Sequence, residues 1–371
     1  MASPLLSADS HVAEPEEAYR EIDPAFRDRA PHLVYDDKLG SGMVVDGLPS
    51  PVPMSFINAA GRKPEDIGKP VRWEDLNPAG YDTKARLALQ DAEGVSAEVI
   101  FPSVGMILCR VKDIDYRKAC NDAYNRWLAG FCEPAPDRLL GLPTVSLRSV
   151  EEGIEELRNA KAMGFRGVMF PGNPNVEDYD HPCYEPLWEA AVDLELPIHF
   201  HILTTEADDL STIIIRKTRG PKIGQFMSII RGIQDILLMF IFSGIFERHP
   251  KLRVVCAEAD AGWAPHFAYR MDHAYERHRF WLETGTLSKP PSEYFHENIY
   301  MTFQDDYAAT RTAHLGASHR LMWASDFPHN DGTFPHTQEV VSKLTEGMSD
   351  EMRRAITGGN MQQLYGLAAP A

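Results

Sequence analysis

Eight short apolar runs, each followed by a stretch with helical spacing, constrain this chain more than any other feature. One opens the sequence at Leu5, and seven follow at residues 97–102, 139–145, 167–171, 197–202, 252–258, 298–303 and 319–324. Runs of this length, apolar almost throughout, suit strands buried on both faces of a parallel sheet. The stretches between them carry helix signals. Residues 82–91 end near Gly94; Ala119, Ala123, Trp127 and Phe131 recur at a spacing of four within 116–131; Ser149 and Glu152 form a capping box. Residues 182–194, 262–283 and 306–315 complete the set. Strands alternating with helices predict crossover connections, and eight of them predict a closed (β/α)8 TIM barrel of the α/β class.

With 371 residues and 44% hydrophobic content, the chain can bury one large core, and we expect a single domain over 1–371. Residues 15–29 are expected to be helical. Two insertions depart from the alternation. A polar, Gly- and Pro-rich stretch at about 31–80 follows the first strand, with 42–47 and 69–73 as candidate antiparallel pieces. A long helical insertion at about 204–249 follows the fifth. Its segment 226–246 is too apolar for an isolated exposed face, so it is expected beside the barrel or against a second subunit. A homo-oligomer, or pairing with a homologous subunit, is the corresponding expectation.

In a barrel of this kind the carboxyl ends of the strands share the face on which active sites are built. Leu321-Met-Trp-Ala-Ser-Asp-Phe-Pro-His329 ends an apolar run in an acid and an imidazole, and Pro328 stops the ladder there. The other strand ends supply Asp9 and His11, with Glu14 just beyond; His199 and His201; Glu258; and Gln304 with Asp305. Residues two apart on a strand face the same way, so Asp9 pairs with His11 and His199 with His201. Each has an ordinary alternative. Glu258 could pair with Arg253 or Arg270, Asp326 could cap a loop, and His329 could merely bond to it. Convergence at four strand ends favours a divalent metal, with Asp9, His11, His201, Glu258, Asp326 and Glu14 as candidate ligands. Mixed imidazole and carboxylate donors suit Zn, Mn or Fe, as a mononuclear or a dinuclear site. His266, His273 and His278 ride on one charged helix and read as surface.

Thirty-seven basic against 54 acidic residues give a net charge of -17, which disfavours nucleic acid and anionic membrane as partners. The five cysteines lack any Cys-x-x-Cys spacing, and no leader pattern opens the chain; both fit a cytoplasmic protein with reduced thiols. The longest greasy stretch is far short of a bilayer span.

Asp9-Ser-His-Val-Ala-Glu-Pro15, Pro197-Ile-His-Phe-His201, the stretch from Phe242 to Pro250, Gly262-Trp-Ala-Pro265 and the stretch from Ser325 to Pro335 together resemble the amidohydrolase-related (amidohydrolase 2) family. That family includes aminocarboxymuconate-semialdehyde decarboxylase and γ-resorcylate decarboxylase. The resemblance implies a metal-dependent TIM barrel with the ion held by Asp9, His11, His201 and Asp326. Two positions depart from it: Ala13 stands where a second first-strand His is common, and Glu258 where the sixth strand often ends in His. The expected activity is metal-assisted hydrolysis or non-oxidative decarboxylation of a small carboxylate or amide, with Asp326, His329 and His199 as catalytic groups. Arg110 or Arg216 is a candidate anion holder. The alternatives are a non-heme (di)iron oxygenase on the same scaffold and a metal-binding, non-catalytic partner subunit.

Overall fold

The computed structural model describes residues 4–205, 220–221, 223–316 and 318–368. Eleven strands occur among them. Eight are parallel and follow the expected order: β1 (Leu5–His11), β5 (Val95–Phe101), β6 (Leu139–Gly141), β7 (Val168–Met169), β8 (Ile198–His201), β9 (Val254–Ala257), β10 (Ile299–Phe303) and β11 (Leu321–Trp323). They pair as two arcs, β1-β5-β6 and β7-β8-β9-β10-β11. Two seams join the arcs into a ring. A parallel bridge links Thr144 to Met169. At the other seam Asp326 N–H donates to Asp9 O at 3.0 Å and His11 N–H to Phe327 O at 2.6 Å. The TIM barrel is thus closed by its first and last strands.

The interior of the ring is filled mainly by apolar side chains. Leu6, Ala8, Ala97, Val99, Phe101, Leu140, Leu142, Met169, Val255, Ala257, Tyr300 and Met322 fill it, joined from one end by Met361 and Tyr365 of the last helix. Leu5, Val95, Ile100, Ile198, Phe200, Val254, Cys256, Leu321 and Trp323 face outward into a second layer under the helices. Strand alternation therefore sorts nearly every barrel residue, as period-2 geometry requires.

Two bulges interrupt it. Between Ser7 and Ser10 one extra residue of β1 is accommodated against β5, and between Leu5 and Leu6 the extra residue lies in β5. The first has a direct consequence for the site. Leu6 and Ala8 point into the barrel, so regular alternation would send Asp9 and His11 outward among the helices. The bulge shifts the phase by one and turns both inward, the re-aiming that bulges accomplish at barrel rims.

The insertion after β1 contains the expected antiparallel sheet, β2 (His32–Asp36), β3 (Gly40–Val44) and β4 (Val52–Pro53). Residues 69–73 form no strand in it, although Ser41 N–H donates to Val71 O at 2.8 Å. The insertion leans on the last strand's loop, where Ala59 and Ala60 N–H both donate to Pro328 O at 2.9 Å. Residues 15–29 are two 3-10 turns, Glu16–Tyr19 and Pro24–Arg29, rather than one helix. Pro24 lacks the N–H that a continuing helix would need, and the Asp23 carboxylate caps the second turn at Ala25. Of the later insertion, helix Arg231–Phe242 buries Ile233, Ile236, Leu237, Phe240 and Ile241 in the outer layer, with Phe240 against Phe200 and Trp188. It lies beside the barrel, the first of the two placements expected. Among the described residues no helix is long and apolar enough to cross a membrane.

Candidate metal centre

At the carboxyl ends of the strands the structure brings together Asp9, His11, His201, Glu258, Asp326 and His329. His11 Nε2 is the hub, 3.4 Å from Asp9 Oδ1, 3.5 Å from Glu258 Oε2 and 3.5 Å from Asp326 Oδ1. His201 Nε2 lies 3.1 Å from Glu258 Oε2 and 3.9 Å from Asp9 Oδ1. The residues fall into two groups with metal-ligand spacing, one of His11, Glu258, Asp326 and His329 and one of Asp9, His11 and His201.

Tautomers follow from the partners. His11 Nδ1 lies 2.9 Å from Pro102 O, and His201 Nδ1 lies 3.0 Å from Ile202 O. A carbonyl can only accept, so both Nδ1 atoms carry a hydrogen and both Nε2 atoms are turned to the centre, where a bound cation would take their lone pairs. Four buried atoms there have no hydrogen-bond partner: Asp9 Oδ1, His11 Nε2, His201 Nε2 and Asp326 Oδ2. Buried acceptors without donors are costly and rare; with Asp9 Oδ1 close to both imidazole Nε2 atoms and the Asp326 carboxylate 3.5 Å from His11 Nε2, these residues form a donor set that fits a divalent cation.

The electrostatics agree. Burial opposes charge on His11, yet Asp9, Glu258 and Asp326 outweigh it and hold the imidazole well above its ordinary pKa. Burial, then the Glu258 charge, push the Asp326 carboxyl well above the carboxylate range. Glu258 moves the other way: burial is outweighed by the neighbouring imidazoles of His11 and His201. The cluster is short of positive charge.

Departures from regular backbone put these groups in place. Glu258 and Asp326 adopt φ of 54° and 53°, and neighbouring Asp260 51°. Left-handed conformations of non-glycine residues are held only where the surroundings impose them. Behind the seam, fully buried Arg86 bonds Glu98 Oε2 at 2.6 Å, His11 O at 2.9 Å and Phe327 O at 3.4 Å, and lies over the Phe327 ring. It ties together the backbones that carry His11 and Asp326.

Two expected site residues lie elsewhere. Glu14 is outside both groups: its carboxylate accepts from the N–H groups of Ser103, Val104 and Gly105 at 2.9–3.0 Å. Those donors open the short helix Val104–Leu108, and they occupy the oxygens a metal would need. His199 does share the inward face with His201 but sits deeper. Its Nδ1 donates to Val168 O at 3.0 Å and its Nε2 accepts from Tyr365 Oη at 2.6 Å, so neither nitrogen is left for proton transfer at the rim. Burial lowers its pKa to about 3, so it is neutral. Gln304 is buried and Asp305 exposed, and neither joins the ligand groups. Arg216 lies outside the described residues.

His329 closes the mouth. Its Nδ1 is 3.0 Å from Asp326 Oδ1 and its Nε2 3.2 Å from Ser103 Oγ. Its side chain is 15% exposed and that of Glu258 13%, while Asp9, His11, His201 and Asp326 are fully covered, so these two groups meet whatever enters. Sequence reasoning missed Ser103, Arg86 and Thr302. A groove of about 830 Å³ between helices Thr83–Glu93 and Ile114–Cys132, lined by Arg20, Lys84, Arg126 and Trp127 among others, contains none of the cluster residues. The convergence of donors, not the size of the opening, locates the chemistry.

A family model described as Amidohydrolase matches residues 68–367. The gamma-resorcylate decarboxylase of Rhodococcus jostii is 26% identical over 327 residues, which cover 81% of this chain and 92% of that protein. An amidohydrolase from Mycobacterium avium subsp. paratuberculosis superposes with a TM-score of 0.79 at 21% identity over 100% of both chains. A dihydroxybenzoic acid decarboxylase from Polaromonas, solved with bound manganese and the inhibitor 2-nitroresorcinol, gives 0.64 at 16% identity over 99% of this chain and 98% of that one. Those two likenesses carry the barrel fold, and the family match spans all of its strands but the first: the chain belongs to the amidohydrolase family.

Proposed function

We propose that this protein is a metal-dependent, non-oxidative decarboxylase of a small aromatic carboxylate. The observation that carries the reading is that Asp9, His11, His201 and Asp326 meet where this fold does its chemistry, each with a buried side-chain atom that has no partner: Oδ1, Nε2, Nε2 and Oδ2. The gamma-resorcylate decarboxylase relative, aligned over most of both chains, supports the reaction class, and the manganese-bearing neighbour supports the cofactor.

These four residues would hold one divalent cation, which when bound orients the substrate and withdraws charge from it. Both groups of candidate ligands share His11 Nε2, and one imidazole lone pair serves one ion, which favours a single cation over two irons. The chain's own groups do the rest. Asp326 Oδ1 stands between the two halves of the site, 3.5 Å from His11 Nε2 and 3.0 Å from His329 Nδ1, while Oδ2 is buried without a partner. When the carbon–carboxyl bond breaks, its electron pair stays on the ring carbon and takes a proton from this pair, while carbon dioxide leaves. Ser103 holds the far side of the His329 ring, and Pro102 O and Ile202 O keep the other two imidazoles in their tautomers.

The test is elemental analysis combined with carbon dioxide release from a panel of hydroxylated benzoates. About one Mn or Zn per chain with oxygen-independent release is expected. Asp326→Ala should lose metal and slow turnover by about 10²–10⁴-fold while folding normally. Unchanged metal content in that variant, or an oxygen requirement in the parent, contradicts the assignment.

A further inference from the structure

We infer that Thr302 is a positioning residue that sets the metal affinity of this site by fixing the Asp9 carboxylate. Resting on the proposed role of Asp9 as a ligand, the inference concerns a residue that touches no cation itself. Thr302 lies on β10, in phase with the inward-facing Tyr300, and is fully buried. Its Oγ1 lies 3.0 Å from Asp9 Oδ2 and accepts from Glu258 N–H at 2.8 Å. The hydroxyl has one hydrogen, and a carboxylate can only accept, so that hydrogen goes to Asp9.

The division of the Asp9 carboxylate is the key. Oδ2 is bound to Thr302, and Oδ1 is the atom without a partner, aimed at His11 Nε2 and His201 Nε2. One bond to the distal oxygen thus fixes the plane of the group and presents the other oxygen to the cation, the arrangement by which partners of ligands tune metal sites. The same hydroxyl satisfies the N–H of Glu258, whose φ of 54° is strained. Thr302 therefore couples two strand ends, β1 and β9, that have no hydrogen bond to each other in the strand ladders.

Titration of the apo protein with manganese(II), following free ion by electron paramagnetic resonance, tests this. Thr302→Val keeps the volume and removes the bond. Its Kd for manganese should rise about 10–100-fold, and Thr302→Ser should restore it to within about threefold of the parent. The signal of bound manganese should broaden or shift in the Val variant and return in Ser, a change that loss of packing alone would not reverse. If Thr302→Val does not fold, Thr302→Cys takes its place: its thiol is a weak donor, and a rise of more than threefold supports the inference while a smaller one overturns it. An unchanged Kd in a folded Val variant also overturns it. Asp9→Asn separates the two layers. If that variant binds manganese like the parent, the ligand assignment itself fails. If it loses the ion while Thr302→Val does not, only the role of Thr302 fails.

Discussion

The two ends of the barrel are built from the same strands and differ in how completely they are satisfied. At the closed end, His199 uses both nitrogens, Tyr365 plugs the ring against it, and Leu6, Ala8, Val255 and Met322 pack around them. At the open end a bulge turns Asp9 and His11, three acids sit at positive φ, and four buried atoms lack partners. A protein that only had to be stable would not keep the second arrangement. The contrast is the ordinary exchange of stability for function at a site that must bind something, here confined to one face of one fold.

If that contrast holds, the largest single effect should come from the residue that braces the strained end from behind. Arg86→Met leaves Glu98 buried without its partner and takes a donor from the carbonyls of His11 and Phe327, the latter keeping only its bond from His11 N–H. Breaking a buried ion pair on one side costs about 3–5 kcal/mol, which should appear as a large drop in the urea midpoint of the apo protein. Manganese affinity should fall with it, because the seam carrying His11 and Asp326 loosens. A midpoint within experimental error of the parent would mean that the seam holds itself and that the strain is carried elsewhere.

The closed end supplies the middle prediction. Tyr365→Phe removes only the hydroxyl that donates to His199 Nε2, leaving a buried acceptor unpaired at a cost of about 1–3 kcal/mol. Manganese affinity should not change, since the bond lies a layer below the ligands. Equal loss of stability and of metal binding would erase the distinction between the two ends, whereas loss of stability alone sharpens it.

The sequence disclosed the broad plan better than the depth and aim of individual side chains, for identifiable reasons. His201 was legible because period-2 alternation and a strand-end position suffice to place it. Asp9 and His11 were paired correctly, but their inward phase depends on a bulge that no residue type announces. His199 shared the right face, and alternation says nothing of depth; the partner that occupies it comes from the far end of the chain. Glu14 read as a ligand because it is an acid just beyond Asp9 and His11. The donors that claim it belong to a loop some 90 residues later. Arg86 sits in a helix where a charge ordinarily faces water, and Thr302 is of a type seldom counted among metal-site residues. Parity along a strand is local information; depth, bulges and long-range partners are not.

The smallest predicted effect has the opposite sign and probes the strained end directly. Asp260 adopts φ of 51° and its carboxyl is pushed up to about 6 by burial and by the charges of Asp306, Asp331, Asp305 and Glu258. It belongs to neither ligand group and forms no ion pair among the described residues. Asp260→Gly relieves a left-handed strain worth about 1–2 kcal/mol and gives back about 0.5–1 kcal/mol through the greater freedom of the unfolded chain. A net gain of about 0–1.5 kcal/mol remains, and removing one of several mutually repelling acids adds to it in the same direction. The urea midpoint of the apo protein should therefore rise slightly, with manganese stoichiometry unchanged. A fall in the midpoint would show that the turn after β9 is stabilised by contacts of Asp260 itself. The open end would then owe its strain to packing demands rather than to the crowding of acids around a cation.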